Sequence, residues 1–207
     1  MPELPEVETV LRGVQRLALR RWITKVNVLS PWVIRGTPEA FRAQIEARRI
    51  VELERKGKVL VLHLGANRAR PAAHLVVRLG MTGQIVVAPS DAPLLTHTHV
   101  RMALDGGKDE LRYRDVRRFG SLRCCSSEEL STLLGSLGPD ALEIHEGQFR
   151  RSLHGRRGAI KGLLLNQAII AGLGNIYADE ALFDARIHPE TPAGRITALK
   201  ARGLLRA

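Results

Sequence analysis

The most specific chemistry in the chain sits at its start. Pro2 follows the initiator Met1, and a small second residue permits methionine removal, which leaves a secondary amine at the new terminus. Terminal α-amines titrate near 7.7–8.0, against about 10.4 for lysine, so roughly a tenth of such an amine is unprotonated at neutral pH. Proline's own value runs somewhat higher. In the free-base form the amine can attack a sugar C1′ and form an iminium ion. That cation is an electron sink; it acidifies the C2′ proton and drives β-elimination. Glu3, the next residue, can protonate a ring oxygen or shuttle protons. Far along the chain, Gly172-Leu173-Gly174-Asn175 separates two helical segments. A glycine turn that opens into a helix aims N–H groups at an anion, with Asn175 as a further donor and Lys161 on the preceding helix. The same residues also read as a tight αα-hairpin whose glycines only allow close packing.

The elements that must position these groups fall into two textures. Residues 3–20 place Leu4, Val7, Val10, Leu11, Val14 and Leu17 at helical spacing, which predicts an amphipathic helix. Trp22–Leu29, Lys58–Leu64, His74–Arg78, Gln84–Val87, His99–Leu104 and Glu110–Tyr113 are short β-branched-rich runs that read as strands. Asp105-Gly106-Gly107 between two of them is a hairpin signal, and a second helix is expected near Glu39–Ala47. From Ser126 onward the pattern is helical: an N-cap at Ser126-Ser127-Glu128-Glu129, a stop at Gly138-Pro139, then Gly147–Leu153, Ala159–Ile170, Ile176–Ala185 and Thr197–Arg206. The expected fold is α+β, an N-terminal helix plus β-sandwich domain over residues 1–122 and an all-α helix-two-turn-helix domain over 123–207.

Composition narrows the partners. The 207 residues carry 32 Lys+Arg against 21 Asp+Glu, a formal net charge of +11, and 26 of the 32 cations are arginine. Arginine is well shaped for bidentate phosphate contact, although arginine-rich solvated surfaces also arise without a ligand. Residues 101–123 hold seven bases against four acids, and 147–178 hold five bases and no acid. Two basic zones around a more neutral stretch suit a groove along a polyanion backbone. With only 4% aromatics, a stacking platform for single strands is poorly supplied, so duplex binding is expected. No apolar run approaches the roughly 18 residues of a bilayer span. The acidic MPELPEVETV start lacks the basic segment of a signal peptide, and a cytoplasmic location is expected. Two adjacent cysteines, Cys124 and Cys125, have the wrong spacing for a structural zinc site or a disulfide framework.

Six segments occur together in one order: MPELPEVET, Arg55-Lys56-Gly57-Lys58, Leu79-Gly80-Met81-Thr82-Gly83, Asp115-Val116-Arg117-Arg118-Phe119-Gly120, Ala159-Ile160-Lys161 and Gly172-Leu173-Gly174-Asn175-Ile176-Tyr177-Ala178. Together they closely resemble the bacterial formamidopyrimidine-DNA glycosylases, over essentially the whole chain. The PELPEVET string separates this branch from the endonuclease VIII-type relatives, which begin with a PEGPE-like string. The resemblance implies a bifunctional DNA glycosylase and AP lyase of base excision repair, acting on oxidised purines (8-oxoguanine, formamidopyrimidines) in damaged double-stranded DNA as a monomer. It puts the Schiff-base nucleophile at Pro2, the proton donor at Glu3 and the β-hairpin lysine at Lys58. It gives phosphate contacts to His97, Arg117, Arg156, Lys161 and Asn175. Met81, Arg117 and Phe119 become the groups that fill the void left by a displaced base. Arg78 stands where some relatives have histidine.

The family continues further, with a loop over the displaced base and usually a zinc finger of four cysteines. This chain stops at Ala207 inside an expected helix, so a fragment with no metal of its own is expected, binding duplex DNA weakly and with steep salt dependence. Two further readings stay open. One is a truncated, non-catalytic duplex-DNA-binding module, which an uncleaved Met1 favours. The other is a ribosomal or RNA-binding protein, which suits the charge but leaves the Pro2-Glu3 pair without a role.

Overall fold

The computed structural model describes residues 2–66 and 71–207. The chain divides into two compact units, Met1–Leu133 and Leu134–Ala207, and the expected boundary after residue 122 falls within a strand of the first.

Unit one begins with helix α1 (Leu4–Ala18). Pro5 pre-sets the first turn, and the Glu6 carboxylate reaches back to accept the Glu3 backbone N–H at 2.9 Å, as in a capping box. Leu4, Val7, Leu11, Val14 and Ala18 form the buried stripe, the 3–4 spacing that a helix needs to seat one face on a sheet. Eight strands follow: β1 (Trp22–Val28), β2 (Arg48–Lys56), β3 (Val59–Gly65), β4 (Ala73–Arg78), β5 (Gly83–Pro89), β6 (Thr98–Leu104), β7 (Asp109–Asp115) and β8 (Ser121–Cys125), with helix α2 (Pro38–Ile45) after β1. All pair antiparallel in one sheet of order β5-β7-β6-β1-β2-β3-β4-β8. Only Trp22–Arg49 and Ile23–Arg48 join β1 to β2. The sheet folds over at that short seam, and one apolar core draws on both halves: Leu60, Leu62, Leu75 and Leu122 from one side, Ile85, Val100, Met102, Leu111 and Tyr113 from the other.

Two strands escape the sequence pattern. In β2 a bulge between Ile50 and Glu52 breaks the register, so its buried residues, Ile50 and Leu53, stand three apart and look helical. In β8 the five residues bury Leu122 and Cys125, again three apart. The Asp105–Gly107 turn does join β6 to β7, with Gly106 at φ 78° and Gly107 at φ 86°.

Helix α3 (Ser127–Gly135) follows β8. Unit two then comprises α4 (Glu146–Leu153), α5 (Ile160–Leu165), α6 (Asn175–Asp184) and α7 (Ala198–Arg206), packed on a core of Phe149, Leu153, Ile160, Leu164, Leu182 and Leu204 with their neighbours. The expected helix over Ala159–Ile170 ends five residues early. Asn166 leaves the helical region there, and its Oδ1 accepts the Ala168 N–H at 3.0 Å in an Asx turn. Among the described residues no helix is long and apolar enough to cross a membrane.

Candidate active site and nucleic-acid interface

Within each half of the sheet the strand register gathers the singled-out residues at one set of strand ends. Lys56 pairs with Val59 across the β2–β3 turn, Val59 with Arg78 at the end of β4, and Arg78 with Ser121 at the start of β8. Gly83 at the start of β5 pairs with Asp115 at the end of β7, and Arg114 pairs with Thr98 at the start of β6. The Lys58 turn leaves one set of strand ends and the His97 turn the other, and the short links 79–82 and 116–120 run between the two sets and draw them together, with Thr82 bonded to Asp115 and Gly80 packed on Phe119 and Gly120.

The N-terminus of α1 lies near the Lys58 turn. Glu3 is only 2% exposed, an unusual place for a carboxyl group. The half-buried Lys58 senses it: burial pushes the ammonium below the ordinary lysine value, while the Glu3 and Glu6 carboxylates pull it back up. Burial disfavours the charged form of the amine, so Lys58 gives up its proton more readily than a solvated lysine. The Gly57-Lys58 turn holds Gly57 at φ 56°, in the left-handed region that glycine adopts freely.

Arg55 braces these two parts. Its Nε donates to Glu8 Oε2 on α1 at 2.9 Å, and its Nη1 donates to the Gly57 carbonyl at 3.0 Å. One largely buried guanidinium thus links the helix that presents Pro2 and Glu3 to the turn that presents Lys58. The sequence motif contained Arg55, but nothing in its spacing announced a brace.

Met81 and Phe119 project from turns and are 38% and 59% exposed, which separates them from the core. The Arg117 guanidinium lies 4.7 Å from the Phe119 ring centroid, within cation–π range. The two turns press together. Gly80 has φ 63°, and a Cβ there would come within 2.5 Å of the Gly120 nitrogen and the Phe119 carbonyl carbon. His97 is exposed at φ 65°, and its carbonyl accepts the Asp115 N–H at 3.0 Å, on the side of the Arg117 turn. Beside Phe119 opens a cavity of about 580 Å³ lined by Arg35, Arg78, Ser121 and Arg123. Arg35 had no place in the sequence reading.

In unit two, Lys161 Nζ meets the Asp179 carboxylate at 2.8 Å. Asp179 lies one turn along α6 from the exposed Asn175, so the lysine and the asparagine share the N-terminal end of that helix. The acid-free stretch read from sequence stopped one residue short of this partner. Of the two turn glycines, Gly172 needs its φ of 117°, whereas Gly174 caps α6 in ordinary extended backbone at φ −126°. The turn is shaped by Gln167: Nε2 donates to the Leu165 and Leu173 carbonyls at 3.0 and 2.9 Å, and Oε1 accepts the Gly172 N–H at 2.9 Å. Arg156 is exposed, with Nε on the Ser152 carbonyl at 2.8 Å.

Charge counting overstated the basic zone at 101–123. Arg112 is buried; it donates to Glu110, to the Pro93 and Pro89 carbonyls at 3.0 Å and to the Ala92 carbonyl at 2.9 Å. Arg101 shares Glu110 at 2.8 Å. Arg112 is thus an internal post, and the half-buried Arg101 is paired with the same carboxylate. Cys124 and Cys125 point to opposite faces of β8, and no group of three or more His, Cys, Asp or Glu among the described residues is placed to hold a metal.

Both units resemble parts of known proteins. Residues 1–122 match the formamidopyrimidine-DNA glycosylase N-terminal domain and residues 137–207 the H2TH domain of the same enzymes. The formamidopyrimidine-DNA glycosylase of Desulforamulus reducens is 44% identical over 100% of this chain and 75% of its own length. That of a Nocardioides species is 42% identical over 99% of this chain and 70% of its own. Among solved structures, a Lactococcus lactis Fpg mutant in complex with Fapy-dG containing DNA superposes with a TM-score of 0.90 at 32% identity, covering 99% of this chain and 74% of that one. Lactococcus lactis Fpg in complex with abasic site containing DNA gives 0.89 at 31% identity, with 99% and 74% covered. The chain belongs to the formamidopyrimidine-DNA glycosylase family.

Proposed function

We propose that this chain is a bifunctional DNA glycosylase and AP lyase that removes oxidised purines, 8-oxoguanine and formamidopyrimidines, from duplex DNA through a covalent imine at Pro2. The observation that carries the proposal is the pairing of a buried Glu3 with a half-buried Lys58, together with the exposed Met81 and Arg117–Phe119 turns that are bonded to each other.

Once Met1 is removed, the Pro2 nitrogen attacks C1′ of the damaged nucleotide. The bond to the base breaks, the base leaves with a proton, and Glu3 protonates the ring oxygen so that the sugar opens to an iminium ion. The cation makes the C2′ proton acidic. Its removal breaks the C3′–O bond and cuts the strand, and water then hydrolyses the imine and frees Pro2. Lys58, close to Glu3 and with a lowered proton affinity, serves the elimination and contacts the adjoining phosphate.

The base must first leave the helical stack, at a cost of a few kcal/mol. Met81 and Phe119 fill the gap as apolar wedges, and Arg117 donates to the base left without a partner. His97, Arg117, Arg156, Lys161 and Asn175 bind backbone phosphates, the last two at a helix N-terminus where N–H groups favour an anion. No step needs a metal from this chain's residues.

The test is trapping. Lesion-containing duplex incubated with the protein and borohydride should yield a covalent adduct whose sugar maps to Pro2, and Pro2→Gly should reduce it sharply. Retention of Met1, or a sugar mapped to another residue, rejects the mechanism.

A further inference from the structure

The three turns proposed to reach toward the substrate converge on a single residue, two of them on its side chain and one on its backbone. Asp115, with no solvent exposure, ends β7. Its Oδ1 accepts the Thr82 hydroxyl at 2.5 Å and the Arg117 N–H at 3.3 Å, and its Oδ2 accepts the Gly120 N–H at 2.8 Å. Thr82 Oγ1 in turn accepts the Arg117 N–H at 2.9 Å. The backbone of Asp115 joins in: its N–H donates to the His97 carbonyl at 3.0 Å, and its carbonyl lies 2.8 Å from His99 Nε2. That distance assigns the proton of the His99 ring to Nε2, since a carbonyl can only accept. Tyr113, buried on the same strand, donates its hydroxyl to the Arg78 carbonyl at 3.2 Å.

A carboxylate without solvent is costly unless its oxygens are fully engaged. Here every named donor comes from a turn that carries a proposed DNA-contacting residue: Thr82 follows Met81, Arg117 is itself one, and Gly120 follows Phe119. The backbone of these turns is conformationally demanding, with Gly80 at φ 63° and Arg118 at φ 56°. Such turns keep one geometry only where the surroundings over-determine it.

We propose that Asp115 and Thr82 are positioning residues for base displacement: together they lock the Met81 turn to the Arg117–Phe119 turn, so that the groups filling the helical gap are pre-assembled before DNA arrives. This rests on the reading of Met81, Arg117 and Phe119 given above. It differs from a general stabilising role, because it predicts a defect confined to substrates whose base must be displaced.

Thr82→Val keeps the shape and removes the hydroxyl link between the turns; Thr82→Ser restores it. Excision of a paired lesion by Thr82→Val should fall about 10- to 100-fold, the effect of losing one hydrogen bond to a charged group, and Thr82→Ser should recover most of it. Imine trapping on a preformed abasic site, where there is no base to displace, should stay within about threefold of the parent chain. A 2-aminopurine placed beside the lesion should unstack more slowly with Thr82→Val. Equal losses on both substrates, or no loss on the paired lesion, overturns the proposal. Unstacking needs no covalent chemistry. A parent chain that unstacks the reporter but forms no adduct at Pro2 therefore rejects the catalytic reading alone, while equal unstacking by parent and variant rejects the positioning role alone.

Discussion

Replacing Arg55 with methionine should loosen the joint between α1 and the Lys58 turn, and its size can be worked from the contacts. The guanidinium side chain is 8% exposed and donates to Glu8 at 2.9 Å and to the Gly57 carbonyl at 3.0 Å. Hydrogen bonds to charged groups are worth about 1.5–3 kcal/mol each, a gross loss of about 3–6 kcal/mol. Two effects offset it. Methionine avoids the cost of desolvating a guanidinium, and Glu8, at 25% exposure and still paired with Arg12 at 2.9 Å, is partly rescued by water. A net loss of about 2–3 kcal/mol is expected, a fall in Tm of roughly 5–10 °C for a chain of this size.

The pH dependence gives a second, independent reading. Arg55 first and Arg12 second hold the Glu8 carboxyl below its ordinary 4.5. A carboxyl whose folded value is depressed contributes its stabilisation in full above the unfolded value and loses it as the pH falls through the folded one. The gap between parent and Arg55→Met should therefore be full near neutrality and narrow below about pH 4.5. Urea unfolding followed by tryptophan fluorescence suits the measurement, because both tryptophans, Trp22 and Trp32, lie in unit one. A variant within about 0.5 kcal/mol of the parent at pH 7, the scatter of ordinary surface changes, refutes the brace. A gap undiminished in acid refutes the assignment to Glu8.

Three further outcomes can be checked separately. Lys161→Ala should lower the slope of log affinity against log salt on duplex DNA by about 0.9, one phosphate contact's share of counterion release; an unchanged slope means that Asp179 keeps the lysine to itself. Gly120→Ala should unfold or badly destabilise unit one, since the new Cβ would meet the Tyr113 hydroxyl and lie 2.5 Å from the Arg78 carbonyl oxygen; thermal melts within a degree or two of the parent refute that packing. Burial, reinforced by the neighbouring Cys125, pushes the Cys124 thiol up to about 11, and burial also raises Cys125. Both should react with iodoacetamide far more slowly in the native protein at neutral pH than in urea, as followed by mass spectrometry.

The legible part of the molecule was the part that obeys a simple period or a fixed string. Helix α1 announces itself because Val7, Leu11 and Val14 all face one core. Strands β3 and β4 do so because branched apolar residues fill both of their faces. Strand β2 did not, because its bulge changes parity halfway and charged side chains cover much of its length. The motif residues Pro2, Glu3, Lys58, Met81, Arg117 and Phe119 were named from their strings, and the short links 79–82 and 116–120 explain why the Met81 and Arg117–Phe119 strings meet. What holds them there was invisible. Asp115 and Thr82 form their bond across 33 residues, Arg55 reaches Glu8 across 47, and no local spacing encodes a partner that far away. Net charge misled for the same reason: Arg112 looks like its neighbours in sequence, and only the fold reveals the carbonyls gathered around it.

The seam between β1 and β2 has a consequence for how unit one breathes. Two residue pairs, extended by backbone bonds of Ile50 with Arg20 and Arg21 and of Ala47 with Ile23, join the halves of the sheet there, while five pairs join β1 to β6 and seven join β2 to β3. Amide protons along β6 and β7 and those along β3 and β4 should accordingly exchange with deuterium as two cooperative blocks, each opening with its own free energy. The polypeptide crosses between the blocks at 29–47, 79–82 and 116–120, so a slackened seam would be felt as a tug on the two turns proposed to meet the substrate.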